Sequence, residues 1–199
     1  MQDYESWEIA GHSLEYFDDI HQYLVDGVLV PSITQMLKFK FKNKYARVDG
    51  ATLKRASEKG TEVHNAIEQY CKTGKESELK ELKNFKFLQR QYNFKVTENE
   101  VPVILFKDDE PIGAGRLDIV MEMNEEIGGA DIKRTSALDK DYLAYQLNLY
   151  RIAYRQCYGI EWEFLRGIHL RDDVRKFVHI PINEQMAWKL VDEYMEDKA

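Results

Sequence analysis

Asp118, Asp131 and Lys133 are the residues whose types and spacing could do chemistry together. Asp118 sits in the strand-like run Gly-Ala-Gly-Arg-Leu-Asp-Ile-Val, and Ala-Asp131-Ile132-Lys133 follows thirteen residues later at the end of the next such run. Residues two apart on a strand project to the same side, so Asp131 and Lys133 point together. If the two runs pair as antiparallel neighbours, Asp118 approaches Asp131. Two carboxylates and an ammonium on one sheet face need a reason, because burying unpaired charge is expensive. A divalent cation supplies one, since Mg2+ or Mn2+ suits hard oxygen ligands and offsets carboxylate repulsion. Lys133 would then stand close to a water and a scissile phosphate. It could orient or help deprotonate the water and stabilise charge on the phosphoryl oxygens. Alone, an Asp-x-Lys is ordinarily a solvated strand end, so the elements around it decide its weight.

Those elements follow from periodicity. Tyr23 to Val30 mixes β-branched and apolar residues around Asp26-Gly27, a type I′ turn signal, and a hairpin is expected there. Pro31-Ser32 stops it, and Ser32 can cap a helix through Leu37. Residues 51–72 carry a helical stripe of Val63, Ile67, Tyr70 and Cys71, ended by Gly74. A second helix is expected over 79–92, then strands over 94–106, 112–121 and 127–133. A strong helix follows over 139–158, then strands over 163–170 and 176–180, and a terminal helix capped by Asn183. This order predicts an α/β fold built on a central mixed sheet flanked by helices, with an amino-terminal hairpin extension. Gln146 and Tyr150 lie i,i+4 on the 139–158 helix and share a face. His64 lies on the 51–72 helix, and Glu100 begins a strand edge.

Composition bounds the function. A chain of 199 residues suits one domain, since even ~150 residues bury roughly 70% of their unfolded surface. Twenty-four aromatic residues exclude a solvating disordered chain. The longest apolar run, Val103 to Phe106, falls far short of the ~20 residues of a membrane span. The amino terminus shows no basic region followed by an apolar stretch, so no secretory signal is expected. Cys71 and Cys157 are too few for a disulfide framework, and a cytoplasmic location with reduced thiols is expected. The net charge of −7 argues against a nucleic-acid partner. Its distribution argues otherwise. From Lys38 to Lys59 eight cations stand against two acids, so that segment carries +6 and the rest −13. Lys38, Lys40, Lys42, Lys44 and Arg47 are interleaved with Phe39, Phe41 and Tyr45. That pattern suits a nucleic-acid strand, with cations on phosphates and rings on bases. It equally suits an edge strand whose lysines face water.

Taken in order, the motifs resemble the PD-(D/E)XK nuclease superfamily, in its RecB-like exonuclease branch. They are Gly-x-x-x-His at Gly60 to His64, Glu100 ahead of a strand, Gly-Arg-Leu-Asp ending at Asp118, Asp131-Ile132-Lys133, and Gln-x-x-x-Tyr at Gln146 to Tyr150. Together they span about half the chain. His21-Gln22-Tyr23, Asp26-Gly27 and Pro31-Ser32-Ile33-Thr34 are similar to phage-encoded members. The resemblance implies a restriction-endonuclease-like αβββαβ core in a single nuclease domain. Residues 1–50 would form the hairpin and basic segment, 51–180 the catalytic core and 181–199 a terminal helix. It implies Asp118 and Asp131 as main ligands of one or two Mg2+ or Mn2+ ions, joined by the Ile132 carbonyl and His64. Glu100 would be the additional acid, with Glu98, two residues earlier on the same strand face, as the alternative. Lys133 would be the catalytic lysine, and Gln146 and Tyr150 would position the phosphate and that lysine. Two cysteines leave no iron–sulfur cluster expected. The activity implied is a DNA exonuclease acting on ends or single strands in phage-type recombination, repair or end processing, with a homo-oligomer or a recombination protein as possible partner. Two alternatives stay open. One is the nuclease subunit of a helicase or CRISPR-adaptation-like complex, whose motor must be another chain because no Gly-x-x-x-x-Gly-Lys-Ser/Thr is present. The other is a non-catalytic DNA-binding protein that retains the fold.

Overall fold

The computed structural model describes residues 4–42 and 48–198. The amino-terminal segment is a four-stranded antiparallel meander of β1 (Tyr4–Ile9), β2 (His12–Phe17), β3 (Gln22–Val25) and β4 (Val28–Val30). Its second half is the expected hairpin. Asp26 and Gly27 both have positive φ, 51° and 77°, as a type I′ turn demands. Asp26 also accepts a hydrogen bond from the Ser13 backbone N–H at 2.9 Å, which ties this turn to β2. The first hairpin lies outside the sequence expectation. It turns on Ala10-Gly11 with φ of 52° and 83°, and alanine gives no signal for that conformation.

Ser32 caps α1 (Ile33–Lys40) through a capping box, its hydroxyl accepting from the Gln35 N–H while Gln35 accepts from the Ser32 N–H. The helix runs past the expected end at Leu37, so Lys38 and Lys40 are helical. Neither an edge strand nor a row of lysines on one face exists there, because a period of 3.6 replaces a period of 2. Then come α2 (Gly50–Thr73), capped by Asp49 and closed by Gly74 at φ 72°, and α3 (Lys80–Tyr92).

The remaining strands form one mixed sheet in chain order: β5 (Lys95–Lys107), β6 (Glu110–Met123), β7 (Glu126–Lys133), β8 (Phe164–Arg171) and β9 (Val174–Ile180). Every neighbouring pair is antiparallel except β7–β8, whose parallel crossover contains α4 (Lys140–Tyr158). Asn183 accepts from the Met186 N–H at 3.0 Å and opens α5 (Glu184–Lys198). Both faces of the sheet are covered by helices. On one face Val101, Val103, Leu105, Leu117 and Val120 pack against α1, α4 and α5. On the other, Ile119, Met121, Ala130 and Ile132 pack against α2 and α3. The meander joins the open end of this sheet through Ile104 and Ala114, where the Ala114 N–H donates to the Pro31 carbonyl. The fold is α/β, with a mixed sheet between helices and an amino-terminal antiparallel sheet. Among the described residues no helix is long and apolar enough to cross a membrane.

Candidate active site

The site is built where two strands part. The β6–β7 ladder ends at Ile119↔Ala130, and the next pair along it would be Asp118 and Asp131. There the Asp118 side chain takes over the ladder, accepting the Ile132 N–H at Oδ2 (2.7 Å). The two carboxylates predicted to approach each other therefore flank the point at which the strands separate.

Above the gap α2 brings His64. Its Nε2 donates to the Ile132 carbonyl at 3.0 Å, and its Nδ1 lies 3.7 Å from both Glu100 Oε1 and Asp118 Oδ2. His64, Glu100 and Asp118 each offer a ligand atom, and those atoms all lie within 4.8 Å of one another. Burial disfavours the charged imidazole, but the Asp118, Glu100 and Asp131 carboxylates outweigh it and push its pKa up to about 9. Burial also raises the Asp118 carboxyl, an effect His64 opposes and Glu100 reinforces.

Glu100 reaches this cluster by breaking a rule. It lies within β5, not at its start, and has φ of +51°. A left-handed residue inside a strand resets the alternation. Glu98 faces α4, accepting a hydrogen bond from the Tyr154 hydroxyl, while Asn99 faces Cys71 of α2. The two glutamates do not share a face, and Glu98 is not at the His64–Glu100–Asp118 cluster. Glu100 is also held by Arg116, whose Nε lies 3.1 Å from Oε2 and whose Nη1 donates to Glu5 of β1 at 2.7 Å. The Gly-Arg-Leu-Asp motif by itself assigns Arg116 no role. The available signal was its place two residues before Asp118 on the same strand.

Asp131 and Lys133 project together, as expected. Lys133 Nζ donates to Asp131 Oδ1 at 2.9 Å and lies 2.6 Å from Oδ2. Both oxygens of this buried carboxylate are thus held by the one ammonium, and Oδ2 has no hydrogen-bond partner besides that ion pair among the described residues. Burial pushes the Asp131 carboxyl up to about 6, with Lys133 pulling the other way. Lys133 is depressed by burial but raised more strongly by Asp131 and Asp118, and so stays an ammonium. Asp131 stands outside the His64–Glu100–Asp118 triangle, engaged by the lysine. From α4, the buried Gln146 reaches the Tyr150 phenol, whose pKa burial and the nearby carboxylates raise. Tyr150 packs over Gly115, with no contact to Lys133 among the hydrogen bonds. The α4 residue over Lys133 is Tyr142, its ring 6.0 Å from Nζ.

Of the basic segment, Lys44 and Arg47 lie outside the described residues. Lys40 pairs with Glu193 of α5 at 3.3 Å and lies over the Tyr145 ring; Lys42 lies over Phe39. Of the rings expected to stack on bases, Tyr45 lies outside the described residues, while half-buried Phe39 packs against Tyr194 and half-buried Phe41 against Tyr142 and Tyr145.

No family model matches the chain, and no curated protein does. Among solved structures it is similar to SSO0001, at 13% identity and a TM-score of 0.45, over 84% of this chain and 75% of that one. A likeness at that level carries no argument about activity.

Proposed function

We propose that this protein is a Mg2+- or Mn2+-dependent deoxyribonuclease with a PD-(D/E)XK core of the RecB-like type, hydrolysing DNA phosphodiester bonds. The observation that carries the reading is the parting of β6 and β7, which sets His64, Glu100, Asp118 and the Ile132 carbonyl beside the Asp131–Lys133 pair. The donors fit a divalent ion of that kind: hard carboxylate and carbonyl oxygens and one imidazole nitrogen. Asp118, Glu100, His64 and the Ile132 carbonyl would hold the ion, with the Asp131–Lys133 pair beside them. When bound, the ion supplies an acidified water and an electrophilic clamp on the phosphoryl oxygens.

The chain's own residues do the rest. Lys133, kept charged by two carboxylates, donates to a phosphoryl oxygen and stabilises the charge that develops there. Tyr142 packs over its ammonium, and the Gln146–Tyr150 pair fixes α4 against the strand carrying Asp118. Purified protein with Mg2+ or Mn2+ should degrade linear DNA, while Asp131→Ala and Lys133→Ala should lose that activity. Undiminished cleavage in EDTA would sink the proposal.

A further inference from the structure

The two edges of the mixed sheet are finished differently. On β5 the outward backbone is closed by the last residues of α4. Gln156 accepts from the Phe106 N–H at 3.0 Å and donates to its carbonyl at 3.0 Å. The Cys157 thiol does the same at Ile104, both contacts at 3.2 Å, and the Tyr158 hydroxyl donates to the Pro102 carbonyl at 2.7 Å. Three consecutive side chains thus stand where a further strand would pair. β9 forms the opposite edge and is bonded to β8 alone. In an antiparallel pair, every second residue turns its N–H and carbonyl away from the neighbour. Among the described residues no side chain or backbone group bonds to that outer side of β9.

An open edge invites pairing, and cations placed on one ordinarily discourage it. The cations here have no acid to answer them. β9 carries Arg175 and Lys176 and no carboxylate. Arg175 donates to the Asn84 amide oxygen at 3.2 Å and lies 3.8 Å from the centroid of the Phe87 ring. On β8, Arg166 lies over Phe164 and Phe177; a guanidinium can only donate, and it donates to His179 Nδ1 at 2.9 Å. None of Arg166, Arg175 and Lys176 has a carboxylate partner among the described residues, and Glu126 acts on Arg166 only at longer range. The acids of the adjoining turn are taken, Asp172 by Arg134 and Asp173 by Lys80. Apolar surface lies alongside: Phe87, Tyr92 and Val174 are exposed, and the Tyr92 ring lies 4.6 Å from that of Phe177.

We propose that β9 is a docking edge for an extended acidic segment of another protein, which joins the five-stranded sheet as a further strand. Its backbone takes up the open groups of β9. Arg175 and Lys176 are neighbours on a strand and project to opposite faces, so the segment answers them with acids at consecutive positions. On the face shared with α3, an aromatic or β-branched residue of the segment reaches Phe177 and Tyr92. Charge selects this occupant over a second copy, whose own β9 would bring cations to cations and offer no acid. The inference is independent of the nuclease reading.

The probe is a fluorescent peptide of about eight residues, an ordinary strand length, with consecutive glutamates flanked by threonine and tyrosine. Its anisotropy should rise on titration with the full chain, and amide exchange should slow at β9. Lys176→Glu, at an exposed position, should weaken binding about tenfold, and Arg175→Glu similarly. The peptide with lysines for the glutamates, or with methylated backbone nitrogens, should bind at least about tenfold more weakly. Thermal unfolding checks that each variant stays folded. Absence of binding by the acidic peptide overturns the proposal. Equal binding of the lysine peptide overturns the charge match, and equal binding of the methylated one overturns strand addition. An unchanged affinity in folded Lys176→Glu removes this edge from the site. Dimerisation that protects the β9 amides without any peptide assigns the edge to a second copy instead.

Discussion

Metal binding at this centre should be coupled to loss of the His64 proton. Burial works against the imidazolium, but Asp118, Glu100 and Asp131 hold its pKa at about 9, against about 6.5 in an unfolded chain. A cation whose folded pKa is raised stabilises the fold fully below 6.5, and that contribution disappears as pH climbs through 9. The separation corresponds to about 3 kcal/mol. For a domain of this size the metal-free protein should therefore lose about 6–12 °C of Tm between pH 6.5 and 9. An ion ligated by neutral imidazole must displace the proton, so apparent Mg2+ affinity should rise about tenfold per pH unit from pH 7 to 9, then level. Both quantities come from thermal unfolding at stepped pH, with and without Mg2+, in wild type and His64→Asn. The variant should show neither slope. If wild type and variant follow the same pH curve, or Mg2+ affinity is flat across that range, His64 neither carries the proton nor ligates the ion.

Lys133→Met leaves Asp131 buried without its cation, which should cost about 3 kcal/mol at pH 8. The loss should be much smaller at pH 5, where Asp131 takes up a proton; urea unfolding at the two pH values checks this. Only glycine is relaxed at the φ of +51° found at position 100, so Glu100→Gly should be more stable than Glu100→Gln by about 1 kcal/mol in the same assay, although both lose the metal-dependent Tm gain. Gly129→Ala should be severely destabilising, because its Cβ would fall 2.1 Å from the Trp162 ring, itself fully buried. A Tm within 2 °C of wild type, on the order of 1 kcal/mol, would show that the packing there gives way. Reversing Lys40 should cost stability through Glu193 and Tyr145 more than it costs DNA affinity, measured by fluorescence anisotropy against Arg171→Glu.

Most of the fold was legible because local signals agreed with tertiary packing. The Val63–Ile67 stripe of α2, the Asp26-Gly27 turn and the Asn183 cap each name one conformation, and the structure adopts it. Where a local signal was silent or shared, the reading stopped. Ala10-Gly11 makes the same kind of turn as Asp26-Gly27, yet alanine gives no preference for positive φ, so half of the amino-terminal sheet went unseen. Lys38 to Lys42 alternates like a strand, but Met36 and Leu37 next to it complete a helical stripe with Ile33, and burial of those three decides the conformation. At the site, residue types and order were legible and orientation was not. Arg116 and Tyr142 acquire their places from the meander and from α4, and no spacing within their own segments encodes that.

The same limit explains the pair of glutamates. By alternation Glu98 and Glu100 are interchangeable, and a sequence offers no reason to choose between them. In the folded chain one left-handed residue separates them, sending Glu98 to the Tyr154 hydroxyl and Glu100 to His64 and Arg116. That conformation costs on the order of 1–3 kcal/mol for a side chain with a Cβ, so the surroundings must over-determine it. They do so from two sides: Arg116 draws the carboxylate toward Glu5 and the meander, and His64 draws it toward the gap between β6 and β7. The amino-terminal sheet is thus tied to the chemistry through one guanidinium. The gathering of acids at this point also accounts for part of a net charge of −7 that looked adverse to a nucleic-acid partner. Under the proposed function, those acids would surround the cation that meets a phosphate.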